Sequence, residues 1–383
     1  MTEVLYLTSG VFDKGGISRF NRYQITALRE LLGQTEVAVV SMLGPSKSAR
    51  DLETPFLVDW YGKNTEADKA NQVHFALVAM QYAVRLKPKV IWSAHMYFSA
   101  LAHLLAQLIG SRSVVQVYGR EAWTPRPYRP DVFWGLRHSD HVTSDAYFTA
   151  EYLERVYLHG QKVTVFWDPV DTDRFAPATP NEDVLTGYGI PLPGSSFTIL
   201  TLGRLSTGAG YKGYERLLEV FARLPERAIL VYAGDGDLVQ KLRDRAEELG
   251  VGPRVVFTGF VDDAHLPDVY RSASVFCLIG DRGPARGEGI PLTPLEAAAC
   301  GVPILVGNQD GSREAVEHGV TGMALDPFDL DAITVVLKDL MTDDAYRLRL
   351  GYNGRLRIQR EHAYPVFRSR IERFLTELEA LPK

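Results

Sequence analysis

The segment Ser196-Phe-Thr-Ile-Leu-Thr-Leu202 runs directly into Gly203-Arg204-Leu205. A short apolar run that stops at a glycine is typical of a buried strand whose turn begins at that glycine. Similar runs follow at residues 228–233, 255–257, 275–279 and 303–306, and stretches of helical periodicity separate them. This alternation predicts a parallel sheet with helices on both faces.

The same alternation fills the first half of the chain. Its apolar runs lie at residues 4–8, 37–42, 90–93, 114–118, 142–144 and 163–166, and a proline-punctuated segment at 167–180 reads as a linker. Because 383 residues exceed one ordinary core, we predict an α/β fold with two Rossmann-like domains at 1–170 and 171–361. A last helix at 362–383 is expected to pack back on the first domain.

Composition and charge narrow the functional classes. Hydrophobic residues make up 46% of the chain and charged residues 23%, as in an ordinary soluble protein. Residues 1–170 carry 18 Lys and Arg against 16 Asp and Glu, which leaves 24 against 31 for the rest of the chain. No basic stripe with interleaved aromatic residues occurs, so we predict no nucleic-acid partner. The weakly basic first half leaves peripheral contact with an anionic membrane open.

The cysteines and the N-terminus point to a cellular compartment. Cys277 and Cys300 lie in apolar surroundings, and the sequence has no Cys and His spacing typical of a metal site. The first residues read as a strand rather than a signal peptide, and no run of about 18 apolar residues occurs. We therefore expect a cytoplasmic protein without a bound metal, with the inner face of the membrane as a second location.

A turn punctuated by Gly and Pro, Glu288-Gly-Ile-Pro-Leu-Thr-Pro-Leu-Glu296, opens into an apolar helix. Thr293 stands where an N-cap belongs, and Pro294 where the first helical residue belongs. The backbone N–H groups of Ile290 and Leu292, together with the Thr293 hydroxyl, could then face a phosphate.

The two glutamates that bound this turn suit a sugar nucleotide. Glu288 can accept hydrogen bonds from sugar hydroxyls, and Glu296, one turn inside the helix, can reach a ribose diol. By spacing alone, however, such a pair of glutamates is more often two solvated surface charges.

Two cations project from the same predicted edge. Arg204 ends the first strand of this half, and Tyr211-Lys212-Gly213 opens the helix that follows. An Arg can bind a phosphate through two N–H groups while a Lys supplies a mobile point charge, and together they can offset the charge of a departing diphosphate. Two ordinary surface cations are the alternative interpretation.

Five motifs between residues 196 and 325 resemble the retaining GT-B enzymes of glycosyltransferase family 4, including the Glu-x7-Glu signature of that family. In order they are Gly203-Arg204-Leu205 with Tyr211-Lys212-Gly213, Ala233-Gly-Asp-Gly236, Phe257-Thr-Gly-Phe-Val261, Glu288 through Glu296-Ala297, and Gly311-Ser-Arg-Glu-Ala-Val316 with His318-Gly-Val-Thr-Gly322. The resemblance implies two domains that face each other across a cleft, the first binding the acceptor and the second the nucleotide sugar.

The resemblance also implies residue roles. Arg204 and Lys212 would bind the diphosphate and assist its departure, Glu288 would bind the donor sugar, Glu296 the ribose, and the backbone at 260–261 the base. The donor-binding residues it implies are Gly203, Arg204, Lys212, Gly234, Phe260, Val261, Glu288, Gly289, Ile290, Leu292, Thr293 and Glu296.

The implied reaction moves a sugar from a UDP or GDP sugar to a glycan, lipid-linked or small-molecule acceptor. It retains the anomeric configuration and uses neither a metal nor a cofactor. The expected route is a front-face displacement in which the leaving phosphate oxygen helps to take the acceptor proton.

The first half resembles the family more loosely. Gly15-Gly16-Ile17-Ser18 follows the first strand, as the glycine-rich loop of the family does, so Gly16 would approach the donor; an ordinary tight turn is the alternative. Where many members place a catalytic histidine, this sequence has Tyr118, whose usual pKa of about 10 makes it a poor base. His95, after the preceding strand, is the other candidate for that catalytic position.

Two further segments have a composition that suggests a ligand-binding role. Residues 120–134 combine three arginines with two tryptophans and a tyrosine, and their prolines predict a loop. Such a loop suits sugar stacking, a phosphate-bearing acceptor or a membrane interface, or it packs on its own domain. Asp171-Thr-Asp173 resembles a metal-binding Asp-x-Asp, but its place in the proline-rich linker favours a structural role.

Three other functions fit parts of the pattern. A nucleotide-sugar epimerase or hydrolase would share the architecture. A non-catalytic nucleotide-sugar-binding subunit would account for Tyr118. A dinucleotide dehydrogenase is disfavoured, because no Gly-x-Gly-x-x-Gly follows the first strand.

Overall fold

The computed structural model describes residues 2–46, 51–52, 54–63, 67–123, 129–283 and 286–380. The chain forms two compact units, Met1–Pro169 with Tyr364–Lys383 and Val170–Ala363. Each unit is built on one parallel β-sheet with helices packed against it, so the predicted α/β class is confirmed.

In the first unit the sheet consists, over the described residues, of β1 (Val4–Thr8), β2 (Val37–Ser41), β3 (Trp60–Tyr61), β4 (Val90–Ser93), β5 (Arg112–Val117), β6 (His141–Ser144) and β7 (Val163–Val165). The strand order is β3-β2-β1-β4-β5-β6-β7, and the neighbours are parallel. The chain order therefore reverses between β1 and β4. The strands β1, β2 and β4 are buried along their whole length, as expected for a parallel sheet covered on both faces.

The helices of this unit are α1 (Gly16–Leu32), α2 (Lys69–Leu86), α3 (Ser99–Ile109), α4 (Gly119–Trp123), α5 (Pro130–His138), α6 (Tyr147–Val156) and the C-terminal helix α14 (Tyr364–Glu377). On one face of the sheet, α2 and α3 pack against Leu5 and Leu7 of β1. On the other face, α1 and α14 pack against Tyr6 and Trp92. The C-terminal helix thus contributes to the core of the first unit.

The sheet of the second unit consists of β8 (Phe197–Leu202), β9 (Ala228–Ala233), β10 (Val255–Gly259), β11 (Val275–Leu278), β12 (Ile304–Gly307) and β13 (Met323–Leu325). Its order is β10-β9-β8-β11-β12-β13, again parallel. Its helices are α7 (Glu182–Gly187), α8 (Tyr214–Phe221), α9 (Val239–Glu248), α10 (Leu266–Arg271), α11 (Leu292–Ala299), α12 (Leu330–Thr342) and α13 (Asp344–Glu361).

The loop predicted for residues 120–134 is wrong at both ends. The helix α4 covers residues 119–123 and α5 begins at Pro130, while residues 124–128 lie outside the described part of the chain. Proline is favoured at the first position of a helix, where its missing N–H has no intrahelical partner and its φ is already helical. Pro130 therefore starts a helix rather than excluding one.

The Asp171-Thr-Asp173 segment forms a local turn. The Asp171 Oδ1 atom accepts hydrogen bonds from the backbone N–H groups of Asp173 at 3.2 Å and Arg174 at 3.0 Å. This is the usual way in which an Asp side chain closes a turn.

A helix that crosses a bilayer needs about 20 predominantly apolar residues. Over the described ranges, no helix is both long enough and apolar enough to traverse a membrane.

Candidate active site

The strands β8 and β11 are neighbours in the second sheet, and the chain order reverses between them. Open α/β sheets bind ligands at such a switch point, outside the carboxyl ends of the strands. Gly203 and Arg204 follow β8 directly, and the segment that leads to Glu288 follows β11. These predicted residues therefore extend from the edge of the sheet where a ligand is expected.

Glu288 is held by two side chains that precede α8. Its Oε1 atom lies 2.7 Å from Lys212 Nζ and accepts a hydrogen bond of 2.9 Å from the Tyr211 hydroxyl. The side chains of Lys212 and Glu288 keep 16% and 19% of their exposure, so the pair is shielded from bulk water but not sealed. The structure thus brings two of the predicted residues into direct contact.

The backbone around Glu288 is fixed by the loop after β12. The Glu288 N–H donates to Asp310 Oδ2 at 2.8 Å, and the Glu288 carbonyl accepts from the Gly311 N–H at 3.1 Å. A Cβ atom at Gly311 would lie 1.6 Å from the Gly289 carbonyl oxygen, so only glycine allows these loops to approach so closely. Glu288 therefore presents its carboxylate from a well-supported backbone.

Burial and charge set the protonation of this cluster. Burial alone would lower the pKa of Lys212, but the charge of Glu288 and the Tyr214 and Tyr211 hydroxyls raise it above its usual value. Burial raises the pKa of Asp310 to about 6, although the N–H donors of Glu288 and Ser312 oppose that rise. At pH 7 Lys212 is therefore a cation and Asp310 is mostly ionised.

Arg204 places a second positive charge near this pair. Its side chain is exposed, and it makes no ion pair or hydrogen bond within the part of the chain that the structure describes. Burial raises the pKa of Tyr214 to about 12, and the charges of Lys212 and Arg204 both oppose that rise. Both cations therefore lie close enough to influence one buried hydroxyl.

The Tyr214 hydroxyl lies beneath Gly203. Its oxygen is buried and has no hydrogen-bond partner among the described residues, and a Cβ atom at Gly203 would lie 2.7 Å from it. A side chain at Gly203 would therefore displace Tyr214, which explains why a glycine precedes Arg204 here.

The helix α11 begins earlier than the sequence indicates. Pro291 is its N-cap and Leu292 its first residue, so the prediction of Thr293 as N-cap and Pro294 as first residue is wrong. Proline is tolerated throughout the first turn, because the N–H groups there have no intrahelical partner, and it does not mark the first position uniquely. The Thr293 Oγ1 atom is nevertheless buried without a hydrogen-bond partner in the described chain.

Glu296 lies on the buried side of α11. It is 3% exposed, and its Oε2 atom accepts a hydrogen bond of 2.7 Å from the Tyr270 hydroxyl of α10. The carboxyl group therefore has a structural partner before any ligand binds. Ile290, two residues after Glu288, is also buried, whereas Leu292 is half-buried at the start of the helix.

The predicted base-binding segment follows β10. Phe260 is 48% exposed, whereas Val261 is buried. Gly234, after β9, has a φ of 131°, and a Cβ atom there would lie 2.0 Å from the Gly203 carbonyl oxygen. The loops after β8 and β9 therefore touch through their backbones, and the donor residues predicted after three neighbouring strands share one edge of the sheet.

His95 and Tyr118 follow the neighbouring strands β4 and β5 of the first unit, and their ring centroids lie 6.5 Å apart. The buried Tyr118 hydroxyl donates to Asn21 Oδ1 of α1 at 2.7 Å. The His95 Nδ1 atom accepts from the Tyr97 N–H at 3.3 Å, and its Nε2 atom lies 3.7 Å from Glu121 Oε2. The structure therefore brings the two candidates for the first-domain catalytic position close together, and buried contacts hold both side chains.

Burial keeps these groups uncharged. It lowers the pKa of His95 to about 4 and raises the pKa of Tyr118 well above its usual value. It also raises the pKa of Glu121 to about 8, although the Tyr118 N–H, which donates to Glu121 Oε1 at 3.0 Å, opposes that rise. At pH 7 His95 is therefore a weakly basic neutral imidazole and Tyr118 stays protonated, so neither is an efficient proton acceptor.

Gly16 is the first residue of α1, and Gly15 is the N-cap. The turn before the helix is closed by Asp13, whose carboxylate accepts from the Gly15 N–H and the Ser18 hydroxyl, each at 2.6 Å. Gly16 itself is exposed.

Sequence reasoning missed three residues that organise these sites. Tyr211 lies next to Lys212 in the Tyr211-Lys212-Gly213 motif, and this position is the signal that its hydroxyl could contact Glu288. Asp310 lies just beyond β12, at the carboxyl edge beside β11, and that position was the available signal. Glu121 lies three residues after Tyr118, the spacing at which a carboxylate reaches back to a free N–H at the start of a helix.

Comparison with known proteins identifies the family. The sequence profile described as "Glycosyl transferases group 1" matches residues 190–357. The chain is 31% identical over 274 residues to the GDP-mannose-dependent alpha-(1-6)-phosphatidylinositol monomannoside mannosyltransferase of Mycolicibacterium smegmatis, covering 70% of this chain and 71% of that protein. The chain belongs to the glycosyl transferases group 1 family. As a member of this family it is a glycosyltransferase that uses a nucleotide sugar.

Solved structures agree with the fold of this group 1 glycosyltransferase. Anabaena HepE in complex with UDP matches with a TM-score of 0.79 at 16% identity, covering 98% of this chain and 100% of that chain. Sucrose-phosphate synthase from Thermosynechococcus elongatus matches with a TM-score of 0.78 at 18% identity, covering 99% and 100%. The GT-B class predicted from the sequence motifs is thereby confirmed.

Proposed function

We propose that this glycosyltransferase moves a hexose from a UDP or GDP sugar, bound at the carboxyl edge of the second sheet, to an acceptor with retention of configuration. The observation that carries the proposal is the Glu288 carboxylate, fixed by Lys212 and Tyr211 near the unpaired Arg204. A carboxylate suits sugar hydroxyls and two cations suit a diphosphate, so the cluster matches both halves of a sugar nucleotide.

The donor would be divided among these residues. Arg204 binds a phosphate through its planar N–H groups, and Lys212, already protonated, neutralises a second one. The unpartnered Thr293 hydroxyl and the N-terminus of α11 add donors of hydrogen bonds to the same anion. Glu288 accepts from the sugar, Glu296 from the ribose, and the backbone at 260–261 contacts the base.

The proposed reaction is a front-face displacement. The acceptor oxygen attacks the anomeric carbon from the face on which the diphosphate leaves, so a bond to the acceptor forms as the bond to the phosphate oxygen breaks. The acceptor proton passes to an oxygen of the leaving phosphate. The low basicity of His95 supports this destination for the proton, and Arg204 and Lys212 offset the growing charge. The proposal requires neither a metal nor a cofactor.

The names of the relatives suggest which substrates to test first. The Mycolicibacterium smegmatis relative is named as dependent on GDP-mannose and as acting on a phosphatidylinositol monomannoside. We therefore propose a lipid-linked acceptor ahead of a glycan or a small molecule, and GDP-mannose ahead of UDP sugars. We also propose a cytoplasmic location with a peripheral contact between the first unit and the inner face of the membrane, and no nucleic-acid partner.

The test is a transfer assay with GDP-mannose and UDP hexoses against lipid-linked, glycan and small-molecule acceptors. We expect an acceptor-linked sugar whose anomeric configuration, read by NMR, matches that of the donor. Glu288→Gln should abolish the product, and Glu226→Gln, at an exposed glutamate, is the matched control. Release of free sugar alone would indicate a hydrolase, an isomerised donor would indicate an epimerase, and nucleotide binding without turnover would indicate a non-catalytic subunit.

A further inference from the structure

The helix α2 carries an apolar stripe on its outer side. Its inner side buries Phe75, Val78, Ala79 and Ala83 against the sheet of the first unit. The outer stripe consists of four aliphatic side chains that remain 43–61% exposed, namely Val73, Leu77, Met80 and Val84. Their spacing of four, three and four residues places them on one line along the helix. The helix is therefore apolar on two opposite sides, and folding accounts for only one of them.

The neighbouring helix α3 extends this surface. It shares its buried side with α2, on the same face of the sheet. On its outer side, Leu104 and Leu108 are 56% and 63% exposed, one helical turn apart. We call these six outward-facing side chains of α2 and α3 the apolar surface. Solvent-exposed apolar residues are ordinary when scattered, but six on adjacent helices mark an interaction site.

A tryptophan lies beside the apolar surface. Trp134 of α5 is 41% exposed, and its ring contacts His103 of α3, with centroids 5.2 Å apart. Tryptophan is enriched where a protein meets the interface of a bilayer, because its ring is apolar and its N–H is polar. Its position favours a lipid interface over a purely apolar protein core.

The charged residues along α2, α3 and the segment that joins them are all basic. No Asp or Glu occurs from Lys69 to Arg120, a stretch that contains six Lys and Arg. Lys89 and Arg112 in this stretch pair with Glu3 and Glu379. By contrast, Arg85 and Lys87, at the C-terminal end of α2, are exposed and make no ion pair in the described part of the chain. The apolar stripe thus ends in two unneutralised cations.

We propose that the apolar surface docks this glycosyltransferase on a membrane of anionic phospholipid. Amphipathic helices that rest in a bilayer interface combine aliphatic side chains with Lys and Arg, which attract anionic headgroups. A second copy of the chain fits less well, because pairing this surface with itself would bring cations of the same sign together. The inference deepens the membrane contact included in the proposed function, yet it does not depend on the transfer reaction.

The test is co-sedimentation of the full chain with two kinds of vesicle. One kind contains phosphatidylcholine alone, and the other contains phosphatidylcholine mixed with phosphatidylglycerol. The wild type should bind the anionic vesicles and lose binding at high salt, because salt screens the attraction. Leu77→Gln combined with Met80→Gln should weaken that binding at least about tenfold, since each change removes apolar area that enters the lipid.

Two further variants separate charge from apolar contact. Arg85→Gln combined with Lys87→Gln should lower binding to the anionic vesicles and flatten the salt dependence. Val335→Gln combined with Leu348→Gln, at equally exposed positions of the second unit, is the matched control and should bind as the wild type does. Because all these side chains are exposed, thermal unfolding should be nearly unchanged, which excludes misfolding as a cause.

Two results would overturn this inference. One is equal vesicle binding by the wild type and the Leu77→Gln/Met80→Gln variant, or no binding by either. The other is self-association of the wild type that this variant abolishes without any vesicle binding, which would identify an interface between copies. Binding of GDP or UDP by the same variants keeps the two proposals distinguishable: if vesicle binding fails while nucleotide binding persists, only the docking surface is lost.

Discussion

The two sheets of this glycosyltransferase differ in what they present at their carboxyl edges. In the first unit, burial leaves His95, Tyr118 and Glu121 uncharged at pH 7. In the second unit, Lys212 is a cation paired with Glu288, and Arg204 is exposed and unpaired within the described residues. The two sheets have similar topology, but these residues at their carboxyl edges differ in charge. Arg204 and Lys212 of the second edge can therefore offset the charge of a diphosphate, whereas His95, Tyr118 and Glu121 of the first edge can offer neutral hydrogen bonds.

This difference also bears on where a proton can go during transfer. A histidine with a pKa of about 4 and a tyrosine with a raised pKa are weak acceptors at neutral pH. In the proposed reaction, the leaving phosphate bound by Arg204 and Lys212 is the stronger candidate for the acceptor proton.

The largest effect is expected from Glu288→Gln, which removes a negative charge at the carboxyl edge of the second sheet. The amide keeps the size of the side chain but cannot pair with Lys212 or accept equally well from a sugar hydroxyl. We expect kcat/KM for transfer to fall about 1,000-fold, comparable to the loss of a preorganised electrostatic contact. Steady-state kinetics against the Glu226→Gln control measures this. Near-normal turnover of the variant would show that Glu288 does not contact the donor sugar.

Glu121→Gln tests, through the stability of the fold, whether the Glu121 carboxyl group at the edge of the first sheet is held in its neutral form. A carboxyl whose folded pKa is about 8 contributes stability that is complete below its ordinary pKa and is lost as the pH rises through 8. A glutamine can still accept from the Tyr118 N–H but does not titrate. The variant should therefore gain about 4 kcal/mol of unfolding free energy relative to the wild type between pH 5 and pH 9.

Urea unfolding at several pH values reports this difference. His95 is present in both proteins, so its own titration largely cancels when the two curves are subtracted. A stability difference that stays constant across this pH range would show that Glu121 is not held in its neutral form.

Arg204→Ala should weaken binding of GDP or UDP about 10- to 100-fold, because a charge-assisted bond to phosphate is lost. The unfolding midpoint should hardly change, since the side chain is exposed. Titration calorimetry measures the affinity, with Lys338→Ala at an exposed lysine of α12 as control. An unchanged affinity would place the diphosphate elsewhere.

The smallest effect is expected from Tyr211→Phe, which removes one of the two groups that hold the Glu288 carboxylate. A hydrogen bond to a charged group is worth about 1.5 kcal/mol or more, and the Lys212 contact remains, so kcat/KM should fall about tenfold. Tyr352→Phe, at a 64% exposed tyrosine, should leave the kinetics unchanged. Equal kinetics in the two variants would show that Lys212 alone positions Glu288.

The sheets were the most predictable part of the molecule, because buried parallel strands are short, apolar and bounded by turns. β1, β4 and β9 have the predicted bounds. The short strands β3 and β13 were missed, since two or three residues leave no recognisable pattern. The helix α5 was missed because its first residue is a proline, and proline reads as a breaker unless its helical position is known.

The charged residues of the candidate site could be predicted from the sequence, but the residues that position them could not. Lys212 and Glu288 stood out because charged residues follow strand ends. Tyr211 and Asp310 act through contacts between segments far apart in the sequence, which no local pattern reveals. The neutral state of His95 depends on burial by the surrounding fold, and sequence alone supplies no measure of that burial.

A crystal structure of the protein with GDP or UDP would show where the diphosphate binds. We predict that the diphosphate lies at the carboxyl edge of the second sheet, with phosphate oxygens within hydrogen-bond distance of Arg204 and Lys212. A nucleotide bound at the carboxyl edge of the first sheet, or with its phosphates away from both cations, would contradict this prediction.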